Sequence, residues 1–262
     1  MATPFSRTVI WLAGWLTLLS GASHASADPA VAERGFAAYA TESFREAASR
    51  YRQAPGDAAA AWQFGRACFN LAEFATNHTQ RASLAEQGIA ACRVATGRKP
   101  NSAPAHFYLA MNLGQLARTK GLSALKLVDE MEREFVRARE LDQHFHYAGP
   151  DRNLGLLYRD APVIGSVGSR SRAREHLRRA VELAPEYPEN RLSLIEAYAQ
   201  WGDRTGAHRE LEALQTTWPA ARTNFVGAAW AASWADWEPR LQKLKKRFEL
   251  TPKALDSPRE KQ

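Results

Sequence analysis

Long apolar runs, strand-like alternation and cysteine are all scarce in this chain of 262 residues. Beyond one stretch near the start, no segment approaches the roughly 20 apolar residues that a membrane-spanning helix requires. A spanning helix is therefore not expected. No sustained apolar/polar alternation appears, and Ala, Leu, Arg and Glu dominate throughout, which excludes a sheet-based fold and favours helices. The sequence also lacks a phosphate-cradling loop. Gly165-Ser166-Val167-Gly168-Ser169 follows Pro162, but it has neither the lysine nor the preceding strand of a nucleotide loop, so it reads as a connecting turn. No nucleophile, base or metal set occurs at workable spacing, and the reading is a protein without catalytic residues or cofactor. Asp142, His144 and His146 are the one local metal-like cluster. A structural zinc site needs four ligands, so this group reads as a surface loop and no metal is assigned.

The two cysteines, Cys68 and Cys92, lie on neighbouring expected helices about one turn out of register. That leaves two outcomes open. One is a disulfide contributing on the order of 3 kcal/mol, and the other a pair of small buried thiols.

Where a long apolar stretch does occur, it has the form of an export signal. Arg7 precedes an apolar run from Val9 to Leu19, and Ala25-Ser26-Ala27 supplies small residues at the cleavage position. Residues 1–27 are thus expected to be a secretory signal peptide cleaved after Ala27, with no lipid-attachment cysteine behind it, and the mature chain to be periplasmic. Loss of Arg7 with this leader takes the net charge from +7 to +6, a mild basic balance that favours acidic partners only weakly. Nucleic acid is not expected as a partner: the runs Arg170 to Arg179 and Lys243 to Arg247 fall at helical spacing and read as solvated faces. Asn77-His78-Thr79 is a glycosylation sequon, relevant only in a host that uses it.

Repetition is the strongest positive signal. Ala173, Leu177, Ala180 and Pro185 recur as Ala207, Leu211, Leu214 and Pro219, each 34 residues later. This is the period of the tetratricopeptide unit (TPR), a helical hairpin in which small residues permit close helix contact and a proline ends the second helix. Leu194, Ile195 and Tyr198 match Leu154, Gly155 and Tyr158 as first-helix positions. Looser copies follow toward the N-terminus: Leu109, Ala110 and Leu113 with Met131, Phe135 and Ala138, then Phe64, Gly65 and Cys68 with Ala85, Ile89 and Cys92. The expected fold is all-α, a TPR-like helical hairpin solenoid of about four units over residues 28–250. Extra helices at each end, Ala30 to Tyr51 and a segment holding Trp230, Trp234 and Trp237, complete it, and residues 251–262 form a charged, disordered tail.

In such an array the first helices line a concave surface. Trp62, Arg66 and Asn70, then Phe107, Met111 and Gln115, then Arg152, Leu156 and Arg159 take the inward positions, with Tyr108 and Asn112 on the same helix as Phe107. Aromatics, amides and arginines in one groove suit an extended peptide or a small organic anion, because arginine can grip a carboxylate with paired hydrogen bonds.

The segment Ala148-Gly149-Pro150-Asp151-Arg152-Asn153-Leu154-Gly155-Leu156-Leu157-Tyr158, followed by Ala161-Pro162 and the Ala173 to Pro185 repeat, resembles the T-component family of TRAP-type transporters. Phe107-Tyr108-Leu109-Ala110-Met111-Asn112-Leu113-Gly114 is similar to that family's aromatic, alanine and asparagine helix, and the resemblance runs from Ala58 to Pro219. It implies a periplasmic accessory subunit that associates with the transporter's solute-binding protein, forms a ring-like homo-oligomer and handles a hydrophobic or anionic ligand. A general cell-envelope scaffold or assembly chaperone, holding peptide segments in the same groove, is the alternative. The candidate ligand- or partner-binding set is Trp62, Arg66, Asn70, Phe107, Tyr108, Asn112, Asp151 and Arg152.

Overall fold

The structure, a computed structural model, describes residues 29–120, 124–227 and 230–249. The expected signal peptide and tail lie outside the described residues. Ten helices and no strand make up what is described: α1 (Pro29–Gln53), α2 (Ala58–Glu73), α3 (His78–Arg98), α4 (Ala103–Ala117), α5 (Leu125–Leu141), α6 (Phe145–Asp160), α7 (Arg170–Leu183), α8 (Pro188–Gln200), α9 (Arg204–Asn224) and α10 (Ala231–Glu249). The hairpins α2/α3, α4/α5, α6/α7 and α8/α9 are the four repeat units, with α1 before them and α10 after. No helix among the described residues is long and apolar enough to cross a membrane.

Helix starts follow local chemistry. Asp57, Asn77 and Asp203 each accept a hydrogen bond from the backbone N–H three residues on, at 2.8, 2.8 and 2.9 Å, which satisfies donors that a helix N-terminus leaves without partners. Asn77, read above as a sequon residue, is thus the cap of α3. Pro104 and Pro188 stand in the first turns of α4 and α8, where a missing N–H costs nothing. Pro185 falls just beyond the end of α7, as its repeat role requires. Pro219 does not end its helix: α9 runs through it to Asn224. The extra turn brings Phe225 against Trp230 and Trp237, and burial of that cluster outweighs the lost helix hydrogen bond.

The units stack by burying a shared seam. Where the first-helix residue is glycine the second helix comes closest: a Cβ on Gly155 would sit 2.6 Å from Leu177 Cγ, and one on Gly65 would overlap Cys92 Sγ. Phe44, Ala47, Ala48 and Tyr51 of α1 pack on Phe64, Cys68 and Ala91. At the other end α10 lies against α8 and α9, and it also touches α1. The first and last described helices therefore meet, closing the open side of the superhelix.

Cys68 and Cys92 are both free, buried thiols. Burial pushes Cys68 up to about 12 and Cys92 higher still, so neither is a thiolate nucleophile at neutral pH.

A buried arginine on the inner face

The inner face is built around α6, whose first residues are not helical. His146, Tyr147 and Ala148 have φ of 53°, 56° and 58°, and the regular helix begins only at Gly149. Three successive non-glycine residues in the left-handed region are each strained by about 1–2 kcal/mol, so the surroundings must hold them. Tyr147 stacks on Tyr187 with ring centroids 4.6 Å apart, and His146 lies nearly parallel to Phe107 at 6.0 Å. Asn190, two residues into α8, donates from Nδ2 to the carbonyls of Tyr147, Ala180 and Ala184. One amide thereby ties the left-handed turn to the end of α7.

Arg152 projects into this corner and is fully buried. Its NH1 donates to Asn190 Oδ1 at 2.8 Å and to the Tyr147 carbonyl at 3.1 Å, and its guanidinium lies 5.2 Å from the Tyr187 ring centroid. NH2 has only a 3.4 Å contact with His146 Nδ1, and Nε has no hydrogen-bond partner. Arg152 forms no ion pair among the described residues, and burial lowers its pKa. Burial, then the charge of Arg152, hold the His146 imidazole at about 3. His146 is thus a neutral neighbour and not a second cation.

The candidate residues divide between this corner and the helix packing. Trp62 and Arg66 on α2 are partly exposed; the Trp62 ring stacks on Tyr108 at 6.0 Å, and the Arg66 guanidinium lies 5.9 Å from the Trp62 centroid. Burial pushes the Tyr108 hydroxyl up to about 12, and the Tyr108 ring meets Phe145, which meets His146, the neighbour of Arg152 NH2. Trp62, Arg66, Tyr108 and Arg152 therefore share one neighbourhood. Asn70 stays partly exposed one turn further along α2.

Phe107, Asn112 and Asp151 have other work. Phe107 is wholly buried, edge-on to Phe135 and Phe145. Asn112 is wholly buried and donates to the carbonyls of Gly65 and Tyr108, joining α4 to α2 at the place where Gly88 leaves it room. Asp151 points toward the second helices, to His176 Nδ1 at 2.8 Å and Arg139 Nε at 3.1 Å. Met111, Gln115, Leu156 and Arg159 are also buried, with Gln115 hydrogen-bonded to Glu73 and Arg159 to Asp160. The sequence reading put all of these on an open groove, but the adjoining helices and the turn that opens α6 bury them. No group of three His, Cys, Asp or Glu suited to a metal occurs among the described residues.

Tyr187 and Asn190 were missed, and His146, expected on a surface loop, packs instead against Phe107 beside Arg152. No glycine or asparagine marks the left-handed turn in the sequence, and Tyr187 and Asn190 flank a proline that reads only as a helix start.

The fold defines a TPR-like helical-repeat protein. Residues 27–148 match the family model for regulator of microtubule dynamics protein 1-3, a span from α1 to the left-handed turn that covers less than half of the chain. The crystal structure of a thermophilic TPR protein from Thermus thermophilus is similar with a TM-score of 0.52 and 17% identity, covering 85% of this chain and 98% of that one. The crystal structure of MamA aligns with a TM-score of 0.49 and 15% identity over 68% of this chain and 87% of its own. No curated protein matches the sequence.

Proposed function

We propose that the protein is an exported, non-catalytic scaffold that holds a protein partner and a small ligand on the inner face of its repeat array. The observation that carries this reading is the state of α2: Trp62, Arg66 and Asn70, four residues apart on one helix, remain partly exposed, whereas the corresponding residues of α4 and α6 are buried. The TPR-like fold supports a protein partner. In the finer reading the compartment is the periplasm, and the partner is the solute-binding protein of a TRAP-type transporter. That version rests on the leader at residues 1–27 and the Gly149 to Tyr158 segment. The match to a family named for regulating microtubule dynamics lends the coarser reading its support and does not favour the transporter.

Capture from a periplasmic extract with the tagged mature chain tests both levels. Recovery of a solute-binding protein is the expected result. Recovery of cell-wall or secretion proteins instead supports the general envelope scaffold, and recovery of nothing specific, with no oligomer by light scattering, defeats the scaffold reading.

A further inference from the structure

The two edges of the Arg152 guanidinium are used unequally. NH1 is saturated by Asn190 and the Tyr147 carbonyl, while Nε and NH2, which together form the side-on edge, hold nothing but the long contact to His146. That edge presents two parallel N–H groups at the spacing of the two oxygens of a carboxylate. A buried arginine cannot escape its desolvation cost by losing its proton at ordinary pH, and a buried charge normally has a partner of opposite sign.

We infer that the Nε–NH2 edge of Arg152 is the binding site for a small organic carboxylate that enters past Trp62 and Arg66. The inference rests on the ligand-handling part of the proposed function and names the ligand's chemical class. Among the described residues Arg66 is the second cation of the neighbourhood without an ion pair, with only the Trp62 ring as its partner. It is partly exposed, whereas Arg152 is fully buried. The rings of Tyr108, Phe145 and His146 contact one another in series beside Arg152 and carry no negative charge. An anion with an apolar body matches that order. A bare inorganic anion would leave the aromatic surface unused, and a neutral ligand would leave Arg152 uncompensated. In the bound state the carboxylate replaces the His146 contact, and the neutral imidazole yields without a proton changing hands.

Calorimetry and thermal shift on the full chain, with sodium acetate, hexanoate and phenylacetate, test the inference. Benzyl alcohol and hexanol serve as neutral counterparts, and sodium sulfate as the inorganic control. Hexanoate or phenylacetate is expected to bind at least tenfold more tightly than acetate, and the alcohols not at all. Arg152→Gln should abolish binding. Arg66→Gln, at a partly exposed position that leaves the fold intact, should weaken it at least tenfold, and Arg152→Lys, which keeps the charge but loses the paired edge, should not restore it. Binding by none of the three carboxylates, equal binding of sulfate, or unchanged affinity in Arg66→Gln and Arg152→Gln each overturns the inference. A chain that captures an envelope protein but binds no carboxylate loses only this inference, and one that binds a carboxylate but captures no protein loses only the scaffold reading.

Discussion

Arg152, fully buried, and Arg240, partly buried on α10, both lie on the inner face, and their surroundings differ in kind. Arg240 on α10 meets three carboxylates, with contacts of 2.8 Å to Glu189, 2.8 Å to Glu196 and 2.7 Å to Asp236. Glu189 in turn accepts from Trp237 Nε1 at 2.9 Å and from Ser193 Oγ at 3.0 Å. Burial alone would lower the pKa of Arg240, but Glu189 and Glu196 carry it well above its usual value. Arg152 is buried and touches none of these carboxylates, and Glu189 acts on it only from beyond contact distance. The C-terminal end of the inner face is thus closed by a satisfied charge network that fixes α10 on α8, and the middle holds a cation with an unfilled edge. Burial of one residue type can mark a lock or a site, and the partner list decides which.

Deleting the two charges should separate these roles most sharply. Arg240→Met leaves three carboxylates facing one another in a partly buried setting, and breaking such a pair costs about 3–5 kcal/mol. Arg152→Met removes a charge that touches no carboxylate and leaves Asn190 Oδ1 without that donor, while the Tyr147 carbonyl keeps Asn190 Nδ2, so its net change is expected within about 1 kcal/mol of zero. Urea unfolding of both variants gives the comparison directly. Equal losses would mean that Arg152 is as structural as Arg240.

The repeat architecture was legible in the sequence because close packing leaves a residue-size signature. Ala173 and Leu177 recur 34 residues later as Ala207 and Leu211, all four buried in the seam of their hairpins. The polarity of Arg152 and Arg66 was legible as well, and so was their sharing of one face. Three features were not. The closing of the superhelix depends on where α10 lands, which no period encodes because α10 is not itself a copy of a unit. The left-handed turn at His146 is held by stacking on Phe107 and by Asn190, residues distant in the chain. The third is Asp151, adjacent to Arg152 yet facing the second helices, because successive helix residues point about 100° apart.

A smaller effect separates the hairpins from one another. The position that is glycine in α2 and α6 is Ala110 in α4 and Ile195 in α8, so the spacing within each hairpin is set by its own residue. Gly155→Ala would push a Cβ to 2.6 Å from Leu177 Cγ and 3.0 Å from the Leu177 backbone nitrogen, an overpacking expected to cost about 1–3 kcal/mol. Gly65→Ala meets only the Cys92 sulfur and side chain and the more distant Gly88 carbonyl. The double change with Cys92→Ala should recover most of its loss. A double variant no more stable in thermal melts than Gly65→Ala alone would show that backbone, not the thiol, limits that hairpin.

The C-terminal end and the middle of the inner face should also answer pH in opposite senses. Burial, opposed by Arg240 and reinforced by Glu189 and Glu196, holds Asp236 at about 6, above its usual 3.8. Its contribution to stability is therefore present below about pH 4 and lost as pH rises through about 6. His146 is held at about 3, below its usual 6.5, so its contribution is present above about pH 6.5 and lost as pH falls toward 3. Between pH 4 and 6 the two oppose each other, which predicts a shallow wild-type profile that single substitutions unmask. Asp236→Asn should leave a chain that loses stability on acidification through this window. His146→Asn keeps a residue that tolerates the left-handed turn and should leave a chain that gains stability over the same interval. Because every other titrating group is common to both variants, it is the divergence of their urea midpoints with pH that reads the effect, and parallel profiles would place both groups outside the linkage assigned to them.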